Sequence, residues 1–188
     1  MFEVDCHYNS RKGMLRVTDQ MVEADAEMRT FCASVGELVL WASAIDAQLT
    51  KAVIRACSLT ETPMLEPIVA GLDARAKVEI LRAMSKHIKT DAWSKGITRW
   101  VKKAEKVNEY RNTVAHHQIA VSDGRLILHS AQALKLLKRI KDLKPAPAKT
   151  VSDINRWVEA ARDAYRQGQN VLANLDRFTE EVAKRQAK

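Results

Sequence analysis

The chain holds only three cysteines, Cys6, Cys32 and Cys57, an odd number that never falls into a Cys-x-x-Cys spacing. That argues against a disulfide framework and a cysteine zinc site, and leaves the three to be read as reduced, small hydrophobes. Cys6-His7 beside Asp5 brings metal-ligating residue types together, but on a short stretch with no pattern to anchor it. Long apolar runs are lacking as well. None approaches the roughly 20 residues of a membrane span, and Met1 to Gly13 has no apolar segment of the kind a secretion signal carries. A cytoplasmic protein with no membrane partner is therefore expected. Internal repeats and low-complexity tracts are absent. No acidic pair with metal-binding spacing accompanies the candidate site below, so neither a metal nor a cofactor is expected.

What is present suits one soluble globular domain: 188 residues, 46% hydrophobic and 29% charged. The net charge of +8 is not spread evenly. Residues 95 to 150 hold 13 basic and 4 acidic side chains, so the whole excess lies in that part of the chain. There Lys95, Arg99, Lys102 and Lys106 recur at spacings of four, three and four, which makes a basic stripe along a helix. Such stripes are usually just solvated faces. Beside a site suited to phosphate chemistry, this one is equally well read as an electrostatic track for RNA.

Hydrophobic periodicity predicts mostly helix. Met21, Ala24, Met28, Phe31, Val35, Leu38, Ala42, Ile45, Leu49, Ala52 and Ala56 alternate threes and fours, which predicts one long helix with a packing seam. Gly36 is where it is expected to bend or break, since glycine costs a helix about 1 kcal/mol. Thr62-Pro63 is expected to open a short helix that Gly71 closes. Asp73 is placed to cap the next helix, with Ala76, Ile80, Met84 and Ile88 inward and Arg82 and His87 outward. A further helix is expected from about Asp91, carrying Trp93 and Trp100 as core residues. Ser130 to Leu143 reads as a basic amphipathic helix with Leu134, Leu137 and Ile140 inward, and Lys144 to Lys149, with two prolines, as a linker. Ser152 or Asp153 then caps a last helix with a seam from Ile154 through Trp157, Ala161, Tyr165, Leu172 and Leu175 to Val182.

The stretch built for chemistry runs from Asn108 to His117. Ile97, Trp100, Val101, Ala104, Val107, Val114 and Ala115 form one apolar stripe, and Arg111 falls on it, where a core helix normally has an aliphatic side chain. A guanidinium keeps its proton, so a core-facing arginine needs a partner, water or an anionic ligand. Asn112 and His116, four apart, share a helix face; Arg111 and His116, five apart, stand about 140° from each other on an ideal helix. That offset eases if the helix ends near His116, or if two copies of it face each other across a dimer axis. Immediately afterwards the pattern changes to period two, Ile119 and Val121, then Leu126 and Leu128 beyond a Ser122-Asp123-Gly124-Arg125 turn, which predicts a β-hairpin.

Arg111-Asn112-x-x-x-His116 resembles the Arg-x(4 to 6)-His signature of the HEPN superfamily, small helical-bundle proteins in which a polar residue commonly follows the arginine. Arg82 and His87 repeat the bare spacing, but without the asparagine, the apolar-face arginine or the hairpin. Val35 to Leu49 and Leu72 to Ala83 are similar to the first and second bundle helices of bacterial members, so the likeness covers about Ser34 to His129 and, more loosely, the last helix. The resemblance implies metal-independent endoribonuclease activity: His116 as general acid or base, Arg111 as phosphate stabiliser, and Asn112 orienting one of them. His117 also lies within the permitted spacing and is the second candidate histidine; His116 is preferred because it shares the face of Asn112. Some members carry a tyrosine two residues after the histidine, through which a nucleotidyltransferase partner silences them. This chain has Gln118 there, which puts that mode of control in doubt.

The expectation is thus an all-α antiparallel bundle of about four to five main helices with a β-hairpin at about 118–129, residues 1–30 running into the first helix and residues 31–188 forming one HEPN-like domain. The expected partners are RNA, a second copy of the chain and an antitoxin or other regulatory protein, in a toxin or phage-defence role. The competing reading is a non-catalytic dimeric helical scaffold or RNA-binding module.

Overall fold

The long seam read from the sequence becomes α1, Gly13–Ala56, a 44-residue helix that runs unbroken through Gly36. Phe31, Leu38, Ile45, Leu49 and Ala52 on its inner face are all buried. With Phe31 and Leu38 anchored on either side, the propensity cost of one glycine is too small to interrupt the helix. The structure, a computed structural model, describes residues 13–57, 65–88, 90–122, 125–130 and 148–186. Within Ala26–Ala56 of α1 an 18-residue window reaches a mean hydropathy of 1.2, long and apolar enough by length and composition to cross a membrane. Only 17% of that window is buried in the fold, and Val39 and Leu40 are exposed.

Helix α2, Leu65–Ala70, buries Val69 and closes at Gly71, whose N–H donates to the Pro67 carbonyl at 3.0 Å. Its expected opening at Thr62-Pro63 lies outside the described residues. Helix α3, Ala74–Ser85, is capped by Asp73, whose Oδ1 accepts from the Ala76 N–H at 2.7 Å. Its buried face differs from the expected one. Lys77, Val78, Leu81 and Ser85 point inward, while Ala76, Ile80, Met84 and Ile88 are half-buried at the margin. Both rows have helical spacing. Hydrophobicity favoured the second because the first contains a lysine and a serine. The pairing that turns the helix is Lys77 Nζ, with 0% of its side chain exposed, bonded to both Asp46 oxygens of α1 at 2.9 and 2.8 Å.

Helix α4, Asp91–His116, buries Ile97, Trp100, Val101, Ala104 and Val107, as its stripe requires. Ser94 Oγ donates to the Ser85 carbonyl at 2.7 Å and holds the corner between α3 and α4. The helix stops at His116, and His117 is already extended, with φ −105° and ψ 153°. Strands β1, His117–Ser122, and β2, Arg125–Ser130, form the expected hairpin, slightly longer than predicted, with Ile119 opposite Leu128 and Val121 opposite Leu126. A two-residue strand β3, Lys149–Thr150, adds antiparallel to β2. It was not foreseen, since its lysine was assigned to the linker. The helix expected over 131–143 lies outside the described residues.

Helix α5, Val151–Gln186, begins two or three residues earlier than expected. Its cap is Thr150 rather than Ser152 or Asp153. Asp153 Oδ2 accepts from the Thr150 N–H at 2.9 Å while Thr150 Oγ1 accepts from the Asp153 N–H at 3.3 Å, a reciprocal capping box. The short third strand thus leads directly into the last helix.

Contacts along the helices give their directions. Ser34 meets Asn155, Glu37 meets Arg162, Gln48 meets the Tyr165 carbonyl and Arg55 meets Asp176, so α1 and α5 run parallel. Lys103 meets Asp163 and Tyr110 stacks on Trp157 at 4.7 Å, so α4 runs against α5. Gly168 marks the closest approach: an added Cβ would stand 2.1 Å from Gln48 Oε1 and 2.8 Å from Trp100 Nε1. The main core centres on Trp100, Leu38, Leu49 and Leu81, among the largest fully buried side chains. A smaller one joins Phe31, Leu126, Leu128 and Ile154, and so seats the hairpin on α1 and α5 at the end of the bundle where α4 terminates. Met28 packs against this second core, so residues just before position 30 already belong to the bundle.

Candidate active site

The end of α4 carries the motif, and the bundle decides what each residue faces. Up to Val107 the apolar stripe is sealed against α1, α3 and α5. One turn later Arg111 occupies the same stripe but is exposed, Val114 is only half-buried and Ala115 is exposed. The expectation of a core-facing arginine is corrected here. The protein surface opposite Arg111 is not packed helix but an open groove of about 570 Å³ between α1, the start of α3 and α4. The stripe outlasts the partners that would cover it.

Arg111 Nη1 donates to Asn112 Oδ1 at 2.9 Å. No carboxylate among the described residues pairs with Arg111. The nearest acid in sequence, Glu109, is occupied by Lys106 Nζ at 2.5 Å, and its carboxylate raises the pKa of that ammonium. Both Arg111 and Asn112 line the groove, together with Asn108 one turn earlier. His116 lies about 7.5 Å further along the helix axis at 1.5 Å per residue. It is exposed and does not line the groove. His117 is half-buried as the first residue of β1, opposite Ser130. Of the two histidines, His116 therefore has the more accessible ring.

The structure divides the basic stripe. Lys95 is paired with Asp91 at 2.6 Å and Lys106 with Glu109, whereas Arg99 and Lys102 are exposed and carry no ion pair among the described residues. The second Arg and His spacing is taken up structurally. Arg82 bridges Glu79 at 2.5 Å and Glu105 at 3.1 Å, tying α3 to α4, and His87 is exposed at the corner beyond the helix. Trp100 is fully buried and Trp93 half-buried, in keeping with core packing. Among the described residues no three His, Cys, Asp or Glu side chains cluster as metal ligands would.

Sequence reasoning missed the groove. Asn108 could have been found, because it lies three before Arg111 and four before Asn112 on one helix face. Arg75, Asp46 and Ser43, which line the other walls, come from different helices and leave no local signal. No family model, curated protein or solved structure matches this chain.

Proposed function

We propose that this chain is a metal-independent endoribonuclease of the HEPN type. The observation that carries the reading is the state of Arg111: an exposed guanidinium with no carboxylate partner among the described residues, at the mouth of an open groove and one turn and a half before an exposed histidine. A purely structural arginine would be tied down as Arg82 is. Glu109, which with backbone carbonyls is one of the ties a scaffold reading would give Arg111, is engaged by Lys106.

In the reaction, the ribose 2′-oxygen attacks the adjacent phosphorus and the bond to the 5′-oxygen breaks, leaving a 2′,3′-cyclic phosphate and a free 5′-hydroxyl. A proton leaves the attacking hydroxyl and one is delivered to the departing oxygen. His116 serves one of these transfers, since an imidazole with an ordinary pKa near 6.5 changes charge at neutral pH. Arg111 offers a planar fork to the phosphoryl oxygens as charge gathers on them, and Asn112 fixes the fork through its amide oxygen. Two copies of α4 facing across a two-fold axis would bring two arginines and two histidines to one substrate, which makes a homodimer part of the proposal. A toxin or phage-defence role, with an antitoxin or other regulatory partner, is the biological setting that goes with such an enzyme.

The test is incubation of the purified chain with a panel of single-stranded RNAs, with product ends analysed for the cyclic phosphate. Cleavage that disappears in His116→Ala supports the assignment. Absence of cleavage on every RNA, with Arg111 and His116 variants losing thermal stability, would return the protein to the scaffold reading.

A further inference from the structure

The groove beside Arg111 has a composition that phosphate chemistry alone does not call for. Its base rests on core residues of α1 and α4, Ile45, Leu49, Ala104 and Val107, none more than 2% exposed, and the apolar surface it offers is that of Leu72 at its lip, 37% exposed. Around this base stand neutral amides, Asn108 and Asn112, and two guanidiniums, Arg75 and Arg111. A groove of about 570 Å³ with a few convergent polar groups has room for a small molecule the size of a nucleotide.

The charges in the groove select the ligand. Of its two acids, Asp46 is paired with the Lys77 ammonium through both oxygens, while Asp73 keeps its charge and caps α3, its Oδ1 accepting from the Ala76 N–H at the positive end of the helix dipole. Its two arginines are not neutralised in this way. Arg111 bonds only a neutral amide, and Arg75 is exposed with no ion pair among the described residues. The face offered to a ligand thus sets two unpaired cations, Arg75 and Arg111, against one acid, Asp73, and is net positive. A nucleotide has the complementary form, a planar base flanked by anionic phosphates. Asparagine amides carry a donor and an acceptor side by side and can pair with the edge of a base.

We propose that this groove is a base-recognition subsite, in which Arg75 holds the phosphate flanking the scissile one and Asn108 reads the edge of the base lodged beside Leu72. The proposal rests on the ribonuclease reading for its substrate and adds to it a source of sequence preference. In this arrangement Arg75 supplies affinity common to all nucleotides, and Asn108 supplies discrimination among them.

The experiment titrates the full chain with each of the four nucleoside 3′-monophosphates and with inorganic phosphate, by calorimetry, and repeats the series with Arg75→Ala, Asn108→Ala and His87→Ala. Both subsite positions lie on the groove surface, and thermal melts establish that the variants fold. At least one nucleotide should bind about tenfold more tightly than the least favoured one and more tightly than inorganic phosphate. Arg75→Ala should weaken all four about tenfold together, Asn108→Ala should flatten the preference, and His87→Ala, away from the groove, should bind as the unmodified chain does. Equal affinity for the four bases, or affinities unmoved by Arg75→Ala and Asn108→Ala, would overturn the subsite. Cleavage assays separate the two ideas. Nucleotide binding with these dependences but no RNA cleavage retains the subsite and removes the nuclease; cleavage whose base preference is unchanged in both variants removes the subsite and retains the nuclease.

Discussion

Arg111 donates to Asn112, its own neighbour in sequence, at 2.9 Å, and so holds its guanidinium at the groove without giving up its positive charge to a carboxylate. An amide partner orients the fork while leaving its field uncancelled. Arg111→Lys keeps the charge but loses the planar fork that meets two phosphoryl oxygens at once, so its cleavage rate should fall steeply while its melting temperature stays close to that of the unmodified chain. His116→Ala should lose about 10²-fold or more, the scale for a general acid or base. Arg82→Ala and His87→Ala, the same residue types at the same spacing, should stay within a few-fold of the unmodified rate in the same gel assay.

RNA binding should weaken steeply with salt, because phosphate contacts release counterions. The ion pairs of Lys95 and Lys106 leave Arg99 and Lys102 as the uncompensated members of the stripe. Replacing both of these with alanine should lower the slope of log affinity against log salt by about 1.4, at about 0.7 per contact on a single strand. Replacing Lys95 and Lys106 should lower it less. Cleavage is expected to survive EDTA; loss on chelation, restored by a divalent ion, would sink the metal-free mechanism.

The chain should be a homodimer in solution, since the offset between Arg111 and His116 on one helix is relieved by a facing copy. Light scattering at micromolar concentration is expected to give about twice the chain mass of 21.2 kDa. A mass of one chain would count against the two-fold site.

Asp46→Ala should destabilise the fold by about 3 kcal/mol, the low end for stranding a buried charge, because the Lys77 ammonium would lose the one carboxylate it meets among the described residues. Asp46 itself is 42% exposed, so water entering from the groove keeps the loss from being larger. Lys77→Met fills the same space without a charge and should cost less than Asp46→Ala. Denaturant unfolding of the two variants checks the order, which the reverse ranking would refute.

The cap of α5 should make stability sensitive to acid. The Thr150 N–H, the largest cause, and the Thr150 hydroxyl and Arg156 hold the Asp153 carboxyl below its ordinary pKa of 3.8. With the folded-state value depressed, the contribution is complete above the ordinary value and is lost as pH falls through the lower, folded one. Asp153→Ala should therefore lower stability at neutral pH by about 0.5–2 kcal/mol, and the gap to the unmodified chain should close as the pH drops below 3.8. Melts from pH 7 to pH 2 follow it.

Local pattern was enough to foresee the helices and the hairpin. The three-and-four spacing from Met21 to Ala56, the stripe from Ile97 to Val107, the Asp73 cap and the change to period two after His117 are all properties of neighbouring residues, and backbone geometry alone converts them into α1, α4, the start of α3 and the β1–β2 pair. That Arg111, Asn112 and His116 fall on the last turns of α4 was legible for the same reason. What no local pattern contained was the other side of each contact. The stripe of α4 continues through Arg111 in sequence, but burial requires a partner, and only the packing of α1 and α3 leaves a groove there. The face of α3 turned toward Lys77 because a carboxylate 31 positions away was close enough to pair with it, an attraction that a hydrophobicity pattern counts with the wrong sign. The cap on α5 moved to Thr150, which also ends β3. Arg75 and Asn108 meet around one cavity although they belong to different helices. Periodicity reports which face of an element is apolar; what that face meets depends on contacts between residues far apart in the chain, and these exist only in the folded molecule.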